Sequence, residues 1–274
     1  KELGGPLSPK KGSLGVSTPP HPKAAATVAN RPGSNGFSNL LAGGMRAWSG
    51  NPKLWSHKNG VLMGKSDGSL KMNHFITWKV ATVRNFDLKA KVRISAGGNS
   101  GIQYRSVHAP ELGLDVITGY QCDVVAGKPQ FNGMVYEEKG RGILARAHDK
   151  VTIDPKGDQW VVGKLEVKEF APGEWHEYRI LVEGNRLRHW INGHPTGELL
   201  DLDEKGRALD GVLALQLHKG PPMTIEFKEM LIKHLPDDLP IIKLKNRPIP
   251  ADAFGAPPRG KLPKGWKPPV YGER

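Results

Sequence analysis

The chain is short of the residues that several large function classes need. It has one cysteine in 274 residues, so an intrachain disulfide is excluded, as is a zinc site built from several thiolates. It has no run of 18 apolar residues, which leaves no candidate transmembrane helix. No stretch keeps helical periodicity for three turns; Leu199–Leu209 has room for one short helix at most. The G-x-S-x-G elbow, the H-E-x-x-H helix, the P-loop and the dinucleotide fingerprint are all missing. Aromatic residues make up only 7% of the chain.

What the chain has in excess is charge and proline, both unevenly placed. The formal net charge is +13. Residues 1–36 carry five Lys/Arg against one acid, and 236–274 carry eight against four; 15 of the 23 prolines lie in these two segments. The front segment has almost no large apolar residue and is expected to be a Gly/Ser/Pro-rich extension that cannot offset its ordering entropy. The back segment is expected to be a Pro-rich basic extension that lies over the domain surface or docks on a partner. Its cations are spaced by prolines and form no helical face, so nucleic acid is not expected as a partner.

The middle, 37–235, reads as strands. Phe86, Leu88, Ala90, Val92 and Ile94 alternate with charged residues, the period of two of a half-buried strand. Similar runs occur at Gly101–Arg105, Tyr120–Val125, Met134–Glu137, Tyr178–Val182, Leu187–Ile191, Val212–His218 and Thr224–Ile232. Turn signals such as Asn192-Gly193 separate them. Short strands without alternating helices predict an all-β antiparallel sandwich.

On several of these strands the polar face carries Gln, His, Asp and Glu rather than the Lys/Arg/Asp of an ordinary solvated face. Leu213, Leu215 and Leu217 form a core face opposite Gln216 and His218. Gln103 and Arg105 oppose Ile102 and Tyr104, Gln121 shares a face with Asp123, and Glu137 lies opposite Tyr136. A solvated outer surface is the plain reading of each residue singly, whereas together they mark a cleft on a curved sheet. Asp201, Asp203 and Glu204 have the oxygen donors of a Ca²⁺ loop, although a solvated acidic turn accounts for them more simply. Cys122, alternating with Asp123, is expected to be a buried small residue.

From Phe37 to Leu235 the motifs resemble the 3-keto-disaccharide hydrolase family. They include Phe86-Asp87-Leu88 followed by Gly97-Gly98-Asn99-Ser100-Gly101-Ile102 and Arg105, then Gly119-Tyr120-Gln121-Cys122-Asp123 and Tyr136-Glu137-Glu138. They continue with Gly173-Glu174-Trp175-His176-Glu177-Tyr178, His189-Trp190-Ile191-Asn192-Gly193 and Leu215-Gln216-Leu217-His218. His176 stands where the family usually has Asn, and Ile143–Phe170 matches no family motif. The resemblance implies a concanavalin A-like jelly roll acting on a sugar whose C3 hydroxyl has been oxidised to a ketone. Such a ketone acidifies the C2 hydrogen, so a base can form an enolate that expels the C1 glycosidic oxygen before water adds. His218, Glu137 and Asp123 are then candidates for base or acid, and Arg105 for stabilising the enolate oxygen. His218 ranks first as base, by its ordinary pKa. Asn99, Gln103, Gln121, Tyr136 and Gln216 would bind the sugar. A divalent cation is an alternative electrophile to Arg105; the residues leave both open. The expected partner is an oligosaccharide or glycoside. The family and the missing initiator Met suggest a secreted or periplasmic setting. The rival reading is a non-catalytic carbohydrate-binding module of the same fold, which would instead line its site with exposed aromatics.

Overall fold

The computed structural model describes residues 35–257, 262 and 264–273. In chain order the strands are β1 (Ser38–Asn39), β2 (Trp48–Ser49), β3 (Trp55–Lys58), β4 (Val61–Ser66), β5 (His74–Val83) and β6 (Phe86–Ile94). Then come β7 (Asn99–His108), β8 (Ile117–Val125), β9 (Val135–Glu138), β10 (Gly142–Ala145), β11 (Asp149–Ile153) and β12 (Gln159–Lys164). The last are β13 (His176–Glu183), β14 (Arg186–Ile191), β15 (His194–Asp201), β16 (Gly211–Leu217), β17 (Met223–His234) and β18 (Phe254–Gly255). They form two sheets. The smaller has the order β10-β9-β8-β7-β16-β5-β2, and the larger has β18-β12-β11-β15-β14-β13-β6-β17-β4-β3, with β1 pairing on β17. All pairings are antiparallel except β11 with β15.

The alternation expected on β6 is realised, with every second residue from Phe86 to Ile94 buried. Its apolar face meets those of β7, β8 and β16, where Ile102, Tyr104, Tyr120, Cys122, Leu213, Leu215 and Leu217 are at 0% exposure. Opposed apolar faces of two sheets are what makes a sandwich rather than a single open layer. Cys122 is thus a core residue, and burial pushes its thiol pKa well up, which suits packing and not nucleophilic chemistry. The Asn59-Gly60 and Asn192-Gly193 pairs each close a hairpin with positive φ at both positions.

Two local expectations are corrected. Leu199–Leu209 holds no helix: its first three residues end β15, and the rest is turn and bend. Asp201, Asp203 and Glu204 form no Ca²⁺ loop, and of the three only Glu204, on the turn after β15, is solvated as an acidic turn would be. Asp201 is fully buried, accepting from the Tyr120 hydroxyl at 2.6 Å and from Arg141 Nη2 at 2.8 Å. Asp203 also faces Arg141, and Glu204 faces Arg207. Arginine supplies the positive charge that a cation would have brought.

The expectation for residues 1–36 falls, but for Asn35 and Gly36, outside the described residues. The described residues beyond Pro236 include several that lie against the sandwich. Asn185 bonds the backbone of Ile242 both ways, and β18 pairs with β12. Trp160 is buried with Ile249 and Ala253, and Tyr271 meets it edge-on at 5.0 Å between ring centroids.

Candidate active site

The outward face of the seven-stranded sheet carries a cleft of about 760 Å³, within the range that takes small ligands. Strand alternation decides what lines it. From β7, β8 and β16 come Asn99, Gln121, Asp123, Val125 and Gln216, with His218 just past the end of β16. From β9 come Tyr136 and Glu138, and Asn73 enters just before β5. Lys128, Phe131 and Met134 lie on the β8–β9 connection, and Lys139, Gly140, Ile143 and Arg146 complete the walls.

The floor is a row across three strands in which Gly101 of β7 has Gln216 on one side and Asp123 on the other. Gly101 is required there by space: a Cβ would lie 2.3 Å from the amide carbon of Gln121. Gln121 Nε2 donates to Asp123 Oδ1 at 2.6 Å, and Gln216 Nε2 donates to Glu138 Oε2 at 3.3 Å. Asn73 Nδ2 donates to Glu138 Oε1 at 3.2 Å. In both glutamines the amide nitrogen faces the acid and the carbonyl is turned away from it. Gln121 Oε1, Gln216 Oε1 and Asn99 Oδ1 are buried without a hydrogen-bond partner among the described residues.

Asp123 is 5% exposed. Burial first, and then the neighbouring charge of Glu138, push its carboxyl up to about 8, with the Gln121 hydrogen bond pulling the other way. At neutral pH it is mostly a carboxylic acid. His218 Nδ1 contacts the backbone carbonyl of Lys219. That oxygen can only accept, so Nδ1 is the donor there, and in the neutral imidazole the lone pair falls on Nε2.

Of the nine expected site residues, six line this cleft: Asn99, Gln121, Asp123, Tyr136, Gln216 and His218. Three do not. Arg105 sits in a β-bulge, where Tyr104 and Arg105 oppose the single residue Leu213. Its φ of 48° breaks the alternation that would have put it beside Gln103. The side chain is 1% exposed and donates to the backbone oxygens of Arg84 (2.7 Å), Gly184 (2.7 Å) and Ala208 (3.2 Å) and to Asn85 Oδ1 (3.1 Å). Burial lowers its pKa to about 10. It clamps turns at one end of the sandwich and cannot reach a sugar in the cleft.

Glu137 shares the inner face of β9 with Val135, so Tyr136 and Glu137 cannot both face the cleft. It is held by Arg141 through Nε at 2.8 Å and Nη2 at 3.1 Å. Gln103 is on the outward face but wholly buried, accepting from Ser106 Oγ at 2.7 Å, and lies outside the cleft lining. Glu138 was missed; the alternation that places Tyr136 also places Glu138, two residues on. Asn73, Lys128, Lys139 and Arg146 come from connections, where no periodicity announces a facing. Among the described residues no group of three or more His, Cys, Asp or Glu side chains is placed to hold a metal ion, and no helix is long and apolar enough to cross a membrane.

No curated protein matches the chain. Two solved structures from Parabacteroides distasonis ATCC 8503, both provisionally named glycosyl hydrolases, share its fold. One is 24% identical with a TM-score of 0.51, covering 74% of this chain and 96% of its own. The other is 20% identical with a TM-score of 0.50, covering 73% and 99%. The family model described as a 3-keto-alpha-glucoside-1,2-lyase-like domain matches residues 36–233, which span the sandwich from β1 through nearly all of β17, cleft included. The chain belongs to the 3-keto-alpha-glucoside-1,2-lyase-like domain family.

Proposed function

We propose that the protein is a carbohydrate-active enzyme that cleaves the glycosidic bond of 3-keto-glycosides by elimination followed by hydration, in a secreted or periplasmic setting. The observation that carries this reading is the pairing in one cleft of a buried carboxyl pushed to about 8, Asp123, with the imidazole of His218, whose Nδ1 is engaged by the Lys219 carbonyl and whose Nε2 is left for the base role. An elimination needs one acid and one base at the same pH, and two groups in different environments provide them.

In the proposed sequence His218 Nε2 takes the proton from C2, and the C2–H electrons form the enolate with the C3 carbonyl. The enolate collapses to a C1=C2 double bond, the C1–O bond breaks, and the departing oxygen takes the Asp123 proton. Water then adds across the double bond, its oxygen to C1 and a proton to C2. Asn99, whose Oδ1 is buried, offers its amide N–H to the C3 oxygen in place of Arg105. The charge of Glu138, which accepts from Asn73 and Gln216, favours the protonated form of Asp123. Gln121, Gln216 and Tyr136 orient the ring hydroxyls. A non-catalytic carbohydrate-binding module is the weaker reading, because among the described residues the cleft is lined by two Phe/Tyr/Trp rings, Phe131 and Tyr136, and no Trp, whereas stacking sites are built from such rings.

The test offers a 3-keto-α-glucoside and its unoxidised parent, following aglycone release and exchange of the C2 hydrogen with solvent. Release and exchange are expected from the keto sugar only, and His218→Ala and Asp123→Asn should each lower the rate by ~100-fold or more. Equal turnover of the parent would end the elimination mechanism.

A further inference from the structure

Three cations line the cleft, and none of them shares the ion pairing seen at several arginines and lysines of the sheets. Lys91, Arg93, Arg179, Arg186 and Arg188 each have a carboxylate within 4.0 Å. Lys128, Lys139 and Arg146 line the cleft and form no ion pair among the described residues. The two acids of the floor are no substitute partners, since Asp123 is engaged by Gln121 and Glu138 by Asn73 and Gln216.

Their placement is specific. Lys139 holds a φ of 57°, in the left-handed region that a side-chain-bearing residue adopts at a cost. The hairpin tips at Asn59 and Asn192 meet the same backbone demand (φ 51° and 49°) with asparagine, which tolerates it better. Turn chemistry therefore gives no reason for lysine beside the cleft. Lys128 and Arg146 lie on two segments joined by the bond from Ala147 N to Gln130 O at 3.2 Å, so both connections bring a cation to the same opening.

Resting on the carbohydrate reading above, we propose that the sugar bound here carries an anionic substituent, a carboxylate or a sulfate ester, received by Lys128, Lys139 and Arg146. The floor offers a buried acid and amide groups suited to neutral hydroxyls, while the three cations offer charge that only an anion uses. Charge-assisted bonds to carboxylate or sulfate exceed those to hydroxyls, so this set selects by charge.

The test compares kcat/KM for the 3-keto forms of 4-nitrophenyl α-glucoside, α-glucuronide and α-glucoside 6-sulfate at 20 and 200 mM NaCl. At least one anionic substrate is expected to exceed the neutral one by tenfold or more at low salt, with the advantage shrinking at high salt. In the Lys128→Gln/Lys139→Gln/Arg146→Gln variant, with its fold checked by thermal unfolding, that advantage should vanish while the neutral substrate is turned over within twofold of the parent rate. Equal kcat/KM for charged and neutral substrates overturns the proposal and leaves the elimination chemistry standing. An equal loss for all three substrates in the variant also overturns it. Turnover of none by the parent protein overturns the underlying reading as well.

Discussion

The most consequential residue is Asp123, because its environment determines both its chemistry and its effect on stability. Its folded pKa of about 8 lies above the roughly 3.9 of an unfolded aspartate. The folded state therefore binds the proton more tightly, and that contribution to stability is complete below about pH 4. It is lost as pH rises through 8, because the native state must then hold a buried carboxylate beside Glu138. Asp123→Asn keeps a neutral polar side chain and escapes this loss. Its melting temperature should match that of the parent near pH 4 and exceed it by several degrees at pH 9, even as catalysis disappears. Melting curves that stay superimposed at pH 9 would contradict the raised pKa. Glu138 and Gln121 illustrate the same dependence on surroundings, since each matters through what it does to its neighbour.

Among the elements, the β7 bulge shows how one backbone irregularity reassigns a functional candidate. Strict alternation puts Arg105 on the cleft face, whereas the inserted residue and a positive φ turn it to the end of the sandwich. There one guanidinium joins the turn after β5, the turn between β13 and β14, and the segment before β16. Lysine lacks the planar fork that satisfies four separated acceptors. Arg105→Lys and Arg105→Met should both lower unfolding stability by about 2–5 kcal/mol, because buried acceptors lose their donor. In urea titrations the midpoint should fall, while kcat/KM of the folded protein stays near the parent value. A 100-fold loss of activity with an unmoved midpoint would return Arg105 to the site. At β9 the regular pleat rules instead, and it hands the cleft to Tyr136 and Glu138 while Glu137 pairs with Arg141.

For the molecule as a whole, the C-terminal chain closes one edge of the larger sheet. It adds β18 beside β12 and covers Trp160 with Ile249, Ala253 and Tyr271. The seven-stranded sheet that carries the cleft makes none of these contacts. Ending the chain at Leu235 should leave the sandwich folded and the cleft active, lower the melting temperature by several degrees, and shift tryptophan emission to the red as Trp160 meets water. Loss of cooperative unfolding in the shortened protein would make the tail part of the core instead.

The amino-acid order by itself determined the sandwich, because a period of two on strands such as β6 and β16 allows only one face to be buried. It also determined which polar face carries amides, acids and imidazole, and so six of the nine expected site residues. It could not reveal where the pleat breaks, since the bulge at Arg105 arises from how β7 must pair with β8 and β16 at once. Nor could it reveal what enters from the connections: Asn73, Lys128, Lys139 and Arg146 have no periodicity and reach the cleft only through contacts distant in sequence. The pKa of Asp123 belongs to the same class. Burial and a neighbouring charge set it, and both are created only when the strands come together.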